Sequence, residues 1–200
     1  MARTDVQLML GVKAGDASSF ELLLEKYRTP LIHFLGRMVR DPAMAEDLAQ
    51  EVFLRVYRAR KGYKPSAKFT TWLFRIATNL ALNAVRDERH RQRDVSIDEP
   101  AGEDEQPLQV VDRRPGIIEH MVERDRAALI RRAILHLPEK QRAAVLMHKY
   151  HEMDYDQIAD VLECSQSALK SLLFRAYDAL RVELAPMVYP EATGTPPKGS

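Results

Sequence analysis

The sequence predicts an all-α protein made of two small helical domains joined by a flexible acidic linker, the second domain with a helix-turn-helix. Three observations carry this. Apolar residues recur at three- and four-residue spacing through most of the chain. No stretch alternates apolar and polar residues in the manner of a strand. Residues 94–116 lose the helical period and hold Pro100, Pro107 and Pro115 among acidic residues. The boundaries follow: a first domain over 15–93, a linker over 94–116, a second domain over 117–185 and a disordered Pro/Gly-rich tail over 186–200.

In the first domain, Phe20, Leu23, Leu24, Tyr27 and Leu31 share one helix face. Asp41-Pro42 breaks that pattern, and Ala43 to Arg60 resumes it with Leu48, Val52, Phe53 and Val56. Gly62, Pro65 and Ser66 mark a loop. A long helix then carries Trp72, the only tryptophan, with Leu73, Ile76, Leu80 and Ala84 as its core face. The second domain starts at Ile117, is interrupted at Leu137-Pro138, and continues to about Leu184. No apolar run approaches the roughly 18 residues of a membrane span, and the N-terminus lacks the apolar core of a secretory signal. With one cysteine, Cys164, no intramolecular disulfide is available, and a cytoplasmic location is expected.

Net charge is only +1, yet its distribution is uneven. Phe53 to Arg93 holds eleven Lys/Arg against Asp87 and Glu88, whereas Asp94 to Asp112 holds seven acids and no Lys/Arg. Blocks of this kind mark interaction surfaces. On the Trp72 helix, Lys68, Arg75, Asn79, Asn83, Arg86 and His90 fall within about 80° on a helical wheel. The stripe has no acid, and asparagine is a poor helix former. A merely solvated face would use Glu, Lys and Gln in pairs; an asparagine offers the donor and acceptor that a base edge requires. Tyr63, Phe69 and Trp72 interleave with Lys61, Lys64 and Lys68, so rings for bases lie beside cations for phosphates. Trp72 is also expected to be partly buried.

Tyr155 to Leu180 has the pattern of a helix-turn-helix. Ile158, Ala159 and Leu162 line a short first helix, Glu163-Cys164-Ser165 make the turn with Ser165 as cap, and Ala168, Leu169, Leu172, Leu173 and Ala176 face inward. Gln166, Ser167, Lys170, Ser171, Phe174 and Arg175 face out, where the second helix of such a unit reads the major groove. A plain helical hairpin with a solvated face fits the same pattern. His148 and His151 lack the companions of a metal site, and no metal or cofactor is expected. Glu46, Asp47, Gln50 and Glu51 at the start of the Ala43–Arg60 helix, with Arg55, Arg58 and Arg60 at its end, suit the helix dipole. Their carboxylates leave acid/base or metal chemistry open as a rival, although no catalytic partner or phosphate loop accompanies them.

The segments AEDLAQEVFLRVYR, KFTTWLFRIATNLALNAVR and LPEKQRAAVLMHKYHEMDYDQIADVLECSQSALKSLLFRAYDAL, in that order, resemble a bacterial sigma factor. The small size resembles the extracytoplasmic-function group of the sigma-70 family. The resemblance implies a non-enzymatic initiation factor. Its first domain would melt and read the promoter −10 element. Asp47, Gln50, Glu51 and Arg55 would dock on the clamp helices of the largest subunit of core RNA polymerase. Tyr63 would hold a flipped base, with Lys64, Lys68, Trp72, Arg75, Asn79, Asn83 and Arg86 along the single strand. Gln166, Ser167, Lys170, Ser171, Phe174 and Arg175 would meet the −35 element, with the second domain on the flap of the second-largest subunit. The acidic linker would thread near the active-site and RNA-exit path, and an anti-sigma protein is an expected partner. Two positions depart from the family pattern: Glu163 stands where glycine is frequent in the turn, and Leu172 where a basic residue is common. The first bears on turn geometry, the second on −35 preference.

Overall fold

The computed structural model describes the backbone of residues 3–95 and 117–188, and side chains of 3–92 and 124–187. Most of the linker and of the tail therefore lies outside the described residues. Among these there are eight α-helices and one 3-10 turn: α1 (Asp5–Ala14), α2 (Ala17–Val39), α3 (Pro42–Ala59), the turn Arg60–Gly62, α4 (Phe69–Val95), α5 (Ile117–His136), α6 (Glu139–Tyr150), α7 (Tyr155–Leu162) and α8 (Gln166–Val188). The expected all-α class, in two helical groups either side of residues 96–116, is what the chain adopts. Helix α1 lies upstream of residue 15, where the sequence reading began the first domain. At the other end α8 continues to Val188, with Pro186 inside it.

Local chemistry sets most of the helix starts. Thr4 and Gln7 form a reciprocal capping box on α1, and Asp154 and Gln157 form one on α7. Asp16 caps α2; Asp41 caps α3, whose first residue is Pro42, a ring with no N–H to leave unpaired. The Ser165 side chain accepts from the Ala168 N–H at 3.1 Å, the cap expected for α8. Helix α1 ends on Gly15 at φ 97°, the left-handed backbone that glycine tolerates.

Gly11 makes the α1–α2 corner possible. A methyl there would run into the Oγ of buried Ser19, which donates to Asp16 at 2.6 Å and accepts from Arg3 at 3.0 Å. The Ser19 and Ser18 hydroxyls together hold the Asp16 carboxyl well below the usual carboxylate range. Gly11→Ala is expected to cost about 1–3 kcal/mol through overpacking. Urea unfolding checks it; an unchanged midpoint would mean that the corner can relax.

The first group packs α2 against α1, α3 and α4; the second packs α8 against α5, α6 and α7. The core side chains of both join one buried cluster, from Leu8 to Ala176. The two groups meet along α4–α7, α2–α6, α2–α5 and α4–α6. At this seam the His151 ring lies against Phe34 (5.7 Å between centroids) and Phe74 (4.5 Å). Buried Arg142 of α6 donates to the Met38 carbonyl at the end of α2 (2.5 Å) and to the Leu135 and Leu137 carbonyls at the end of α5 (2.6 and 3.1 Å). The docking of the two groups was not legible from periodicity, which reports how much of a helix is covered and not by what.

A candidate nucleic-acid interface and the family it belongs to

Three surfaces hold the side chains singled out by the sequence. The first is on α4. Asn79, Asn83, Arg86 and His90 are exposed in one row, and Arg86 donates to the Asn83 Oδ1 at 3.2 Å. That bond fixes the amide orientation in a row that presents both donors and acceptors. Lys68 and Arg75, placed on the same stripe by the wheel, are engaged by the second helical group. The Lys68 ammonium lies 3.6 Å from Asp154, and Arg75 donates to the Asp160 carbonyl at 2.8 Å. Leu73 and Leu80 are buried as the core face requires, and Ile76 and Ala84 are half-buried.

Beside the start of α4 an open cleft of about 490 Å³ is lined by Arg58, Tyr63, Lys64, Thr71, Trp72 and Arg75, among others. Trp72 is half-buried, as expected, and its ring tilts against Tyr63 at 5.1 Å between centroids. Tyr63 does not project from the loop: it is 5% exposed and forms the floor of the cleft. Burial pushes its hydroxyl pKa up. Lys13 of α1 donates to the Tyr63 carbonyl at 2.8 Å and ties the loop down. The Tyr63 Oη and Arg75 Nε are buried without a hydrogen-bond partner among the described residues. Arg58 and Thr71 join this cleft although the sequence reading did not place them there. Arg58 was visible only as a cation at a helix end, and Thr71 carried no signal.

The second surface is the outer face of α8. Gln166, Ser167, Lys170, Ser171, Phe174 and Arg175 are all exposed, and Phe174 is 72% so. Leu169, Leu173 and Ala176 are buried, and Leu172 is half-buried in contact with the core. Ala168, expected inward, is exposed, so Leu169 alone of the two expected there fills the inward position of the first turn. Glu163 ends α7 with left-handed backbone, φ 52° and ψ 50°, and its N–H reaches the Ala159 carbonyl. A side chain in that conformation costs about 1–2 kcal/mol that glycine avoids. Glu163→Gly is therefore expected to stabilise by about 0.5–1 kcal/mol, less than the full relief because glycine has more freedom to lose. A thermal midpoint that falls would refute this.

The third surface is on α3, where Asp47, Gln50 and Arg55 are exposed and Glu51 is half-buried. Glu51 accepts from Arg55 at 2.7 Å, with Arg58 at 4.0 Å, and the Arg55 bond holds its carboxyl below the usual range. Leu54, 49% exposed, lies between these residues at helical spacing; Tyr57, 44% exposed, stacks at 5.2 Å on Phe20 at its edge. This apolar pair was readable from three- and four-residue spacing but was not singled out. His148 is 2.8 Å from the Tyr177 hydroxyl, and His151 is packed in the seam. Among the described residues no three His, Cys, Asp or Glu gather as a metal site would require, and no helix is long and apolar enough to cross a membrane.

Comparison with known proteins matches residues 23–91 to Sigma-70 region 2 and residues 118–180 to Sigma-70, region 4. The RNA polymerase sigma-H factor of Pseudomonas aeruginosa is 32% identical over 188 residues, covering 92% of this chain and 95% of its own. The ECF RNA polymerase sigma-E factor of Escherichia coli K12 is 27% identical over 185 residues, covering 92% and 96%. Two solved structures share the fold. One is CnrH in complex with the cytosolic domain of CnrY (TM-score 0.64, 20% identity, 89% of this chain and 95% of that one). The other is the sigma factor RpoE of Bartonella quintana in complex with the anti-sigma factor NepR (TM-score 0.66, 19% identity, 84% and 98%). With both regions matched in order and nearly the whole chain aligned, this protein belongs to the sigma-70 family of transcription initiation factors, in its extracytoplasmic-function group.

Proposed function

We propose that the chain binds core RNA polymerase in the cytoplasm, directs it to promoters through their −35 and −10 elements, and favours melting by holding unpaired −10 bases. It is a binding factor and not an enzyme. The observation that carries this reading is the exposed Asn79–Asn83–Arg86 row on α4, continuous in sequence with the Trp72–Arg75 cleft. The cleft has room for a base, an aromatic ring, and arginines at its rim. Unstacking a base costs a few kcal/mol, and stacking on an aromatic side chain returns about 1–3 kcal/mol. Polymerase contacts then tip a near balance.

In the same reading α8 lies in the −35 major groove, with Lys170 and Arg175 on phosphates or guanines and Gln166 on base edges. The α3 face is the polymerase dock, with Leu54 an apolar anchor amid Asp47, Gln50, Glu51 and Arg55. The two helical groups act as separate modules joined by the acidic linker. An anti-sigma protein is a partner, a proposal supported by the relative of like fold that was solved with one.

Run-off transcription from a genomic promoter library, with core polymerase and with or without this protein, tests the reading. Promoter-specific transcripts that depend on the protein support it. Tight duplex binding without core would favour a free-standing helix-turn-helix regulator, and metal-dependent cleavage a processing enzyme using Glu46, Asp47 and Glu51. Within the assay, Asn79→Ala is expected to lose about 1–3 kcal/mol of base recognition, roughly fivefold to a hundredfold in open complexes, with core binding intact. Loss of core binding in that variant would count against the assignment.

A further inference from the structure

Helix α1 lies upstream of the residues matched to region 2, yet both of its ends are tied to the cleft beside Trp72. From its last turn the Lys13 ammonium donates to the Tyr63 carbonyl at 2.8 Å. At its first residue the Asp5 carboxylate accepts from the Tyr27 hydroxyl at 2.6 Å. The Tyr27 ring packs on Phe69 at 5.5 Å between centroids, Phe69 on Trp72 at 6.0 Å, and Trp72 on Tyr63 at 5.1 Å. These contacts form a closed circuit that leaves α1 at Asp5 and returns to it at Lys13. Asp5 also acts on Tyr63 directly: after burial, its negative charge is what raises the Tyr63 hydroxyl pKa.

The helix is firmly seated. The Thr4–Gln7 capping box and Gly15 close its two ends, and Leu8, Met9 and Val12 are buried. The loop it holds has little else. The Tyr63 N–H reaches the Arg60 carbonyl at 3.3 Å, and the Tyr63 hydroxyl finds no partner among the described residues. Packing on Trp72 is non-directional and resists separation more than sliding. The Lys13 bond has a direction and a charged donor, so it fixes the carbonyl and with it the height of the ring. A lysine in a last turn suits the helix dipole whatever it touches. That accounts for a cation on α1, but not for its reach to a carbonyl 50 residues away.

We propose that Lys13 is a positioning residue for promoter reading: through the Tyr63 carbonyl it sets the depth of the cleft, and so which −10 base the cleft accepts. Asp5 braces the same floor through Tyr27, Phe69 and Trp72. The inference rests on the base-holding function above and adds to it a specificity element from outside region 2. The physical reason is that bases differ in size and in the polar groups on their edges. A floor at fixed height leaves a wrong base badly seated, with polar groups unpaired. A floor free to shift accepts several bases.

In the free full-length chain Trp72, the only tryptophan, reports on the cleft directly. Lys13→Met keeps the apolar stem and removes the donor. It should shift Trp72 emission to the red and raise its quenching by acrylamide, and Lys13→Arg should return both toward wild type. In the holoenzyme, open complexes are counted at a promoter from the run-off library and at its single-base variants through the −10 element. Lys13→Met should lower discrimination between bases at one −10 position by about three- to tenfold, the worth of one net hydrogen bond. The other positions and core binding should be unchanged. Tyr63→Leu should relax the same position, and adding Lys13→Met to it should change discrimination no further, because Lys13 acts through that ring. A loss spread evenly over all positions would give Lys13 a role in stability alone and overturn the proposal. So would an unmoved Trp72 emission, or discrimination kept in Lys13→Met but lost in Tyr63→Leu. If Trp72 responds and neither variant relaxes any position, the cleft holds no promoter base. The base-holding function then fails, and the specificity role with it, while the tie from α1 to the loop stands.

Discussion

Replacing Arg142 with methionine is expected to destabilise the fold by about 3 kcal/mol, the cost of stripping a charged donor from several buried acceptors. Arg142 is 3% exposed, and its guanidinium binds carbonyls at the last turns of two helices. Those carbonyls have no intrahelical donor, and the negative ends of α2 and α5 offset the burial of the cation. Burial lowers the Arg142 pKa to about 10, aided by nearby Arg40 and Arg89 and opposed by Glu139, and it remains charged at neutral pH. Arg142→Lys keeps the charge but not the planar fork, and should recover only part of the loss. Urea unfolding at neutral pH is the measurement. A loss below about 1 kcal/mol for the methionine variant would show that the helix ends find water instead.

The second large effect is in pH. The His151 ring is enclosed by Phe34 and Phe74, and its Nε2 finds no hydrogen-bond partner among the described residues. Burial first, then electrostatic repulsion from Arg37 and from His33 on α2, push its pKa from 6.5 down to about 4. The native imidazole is thus neutral where the unfolded chain has taken up a proton. Between pH 6.5 and about 4 the unfolded state binds more protons, so stability falls as pH falls across that window and levels off below it. About 2 kcal/mol is expected after allowance for partial solvent screening. Asp16 and Glu51, both held low, release their contributions only as pH drops below the ordinary carboxylate range. They leave the window to His151. Unfolding midpoints of wild type and His151→Gln across pH 4–7 should converge at the acid end. Parallel curves would assign the window to other groups.

Much of this protein was legible because helices declare themselves locally. Asp41-Pro42, Leu137-Pro138 and Glu163-Cys164-Ser165 end or start helices through chemistry confined to a few residues, and the structure breaks at each of them. The wheel separated buried Leu73 and Leu80 from exposed Asn79 and Asn83 because both sets repeat with the helix itself. The outward residues of α8 followed in the same way, and Ala168 failed because a small residue gives periodicity little to read. Tyr63 was harder. Lys, Gly and Pro neighbours marked it as a loop residue, but only packing on Trp72, with Lys13 on its carbonyl, makes it a floor.

The sequence by itself therefore determined the helices after α1, the Ser165 cap, most of the wet and dry faces and the family to which they belong, all of which depend on residues within a few turns of one another. Tertiary structure alone decided that Arg142 reaches Met38, that His151 sits between Phe34 and Phe74, and that α7 lies on Lys68, Thr71 and Arg75. These partners are far apart in sequence. Their meeting depends on the shapes of two helical groups, and no single helix's pattern encodes which surface will cover it.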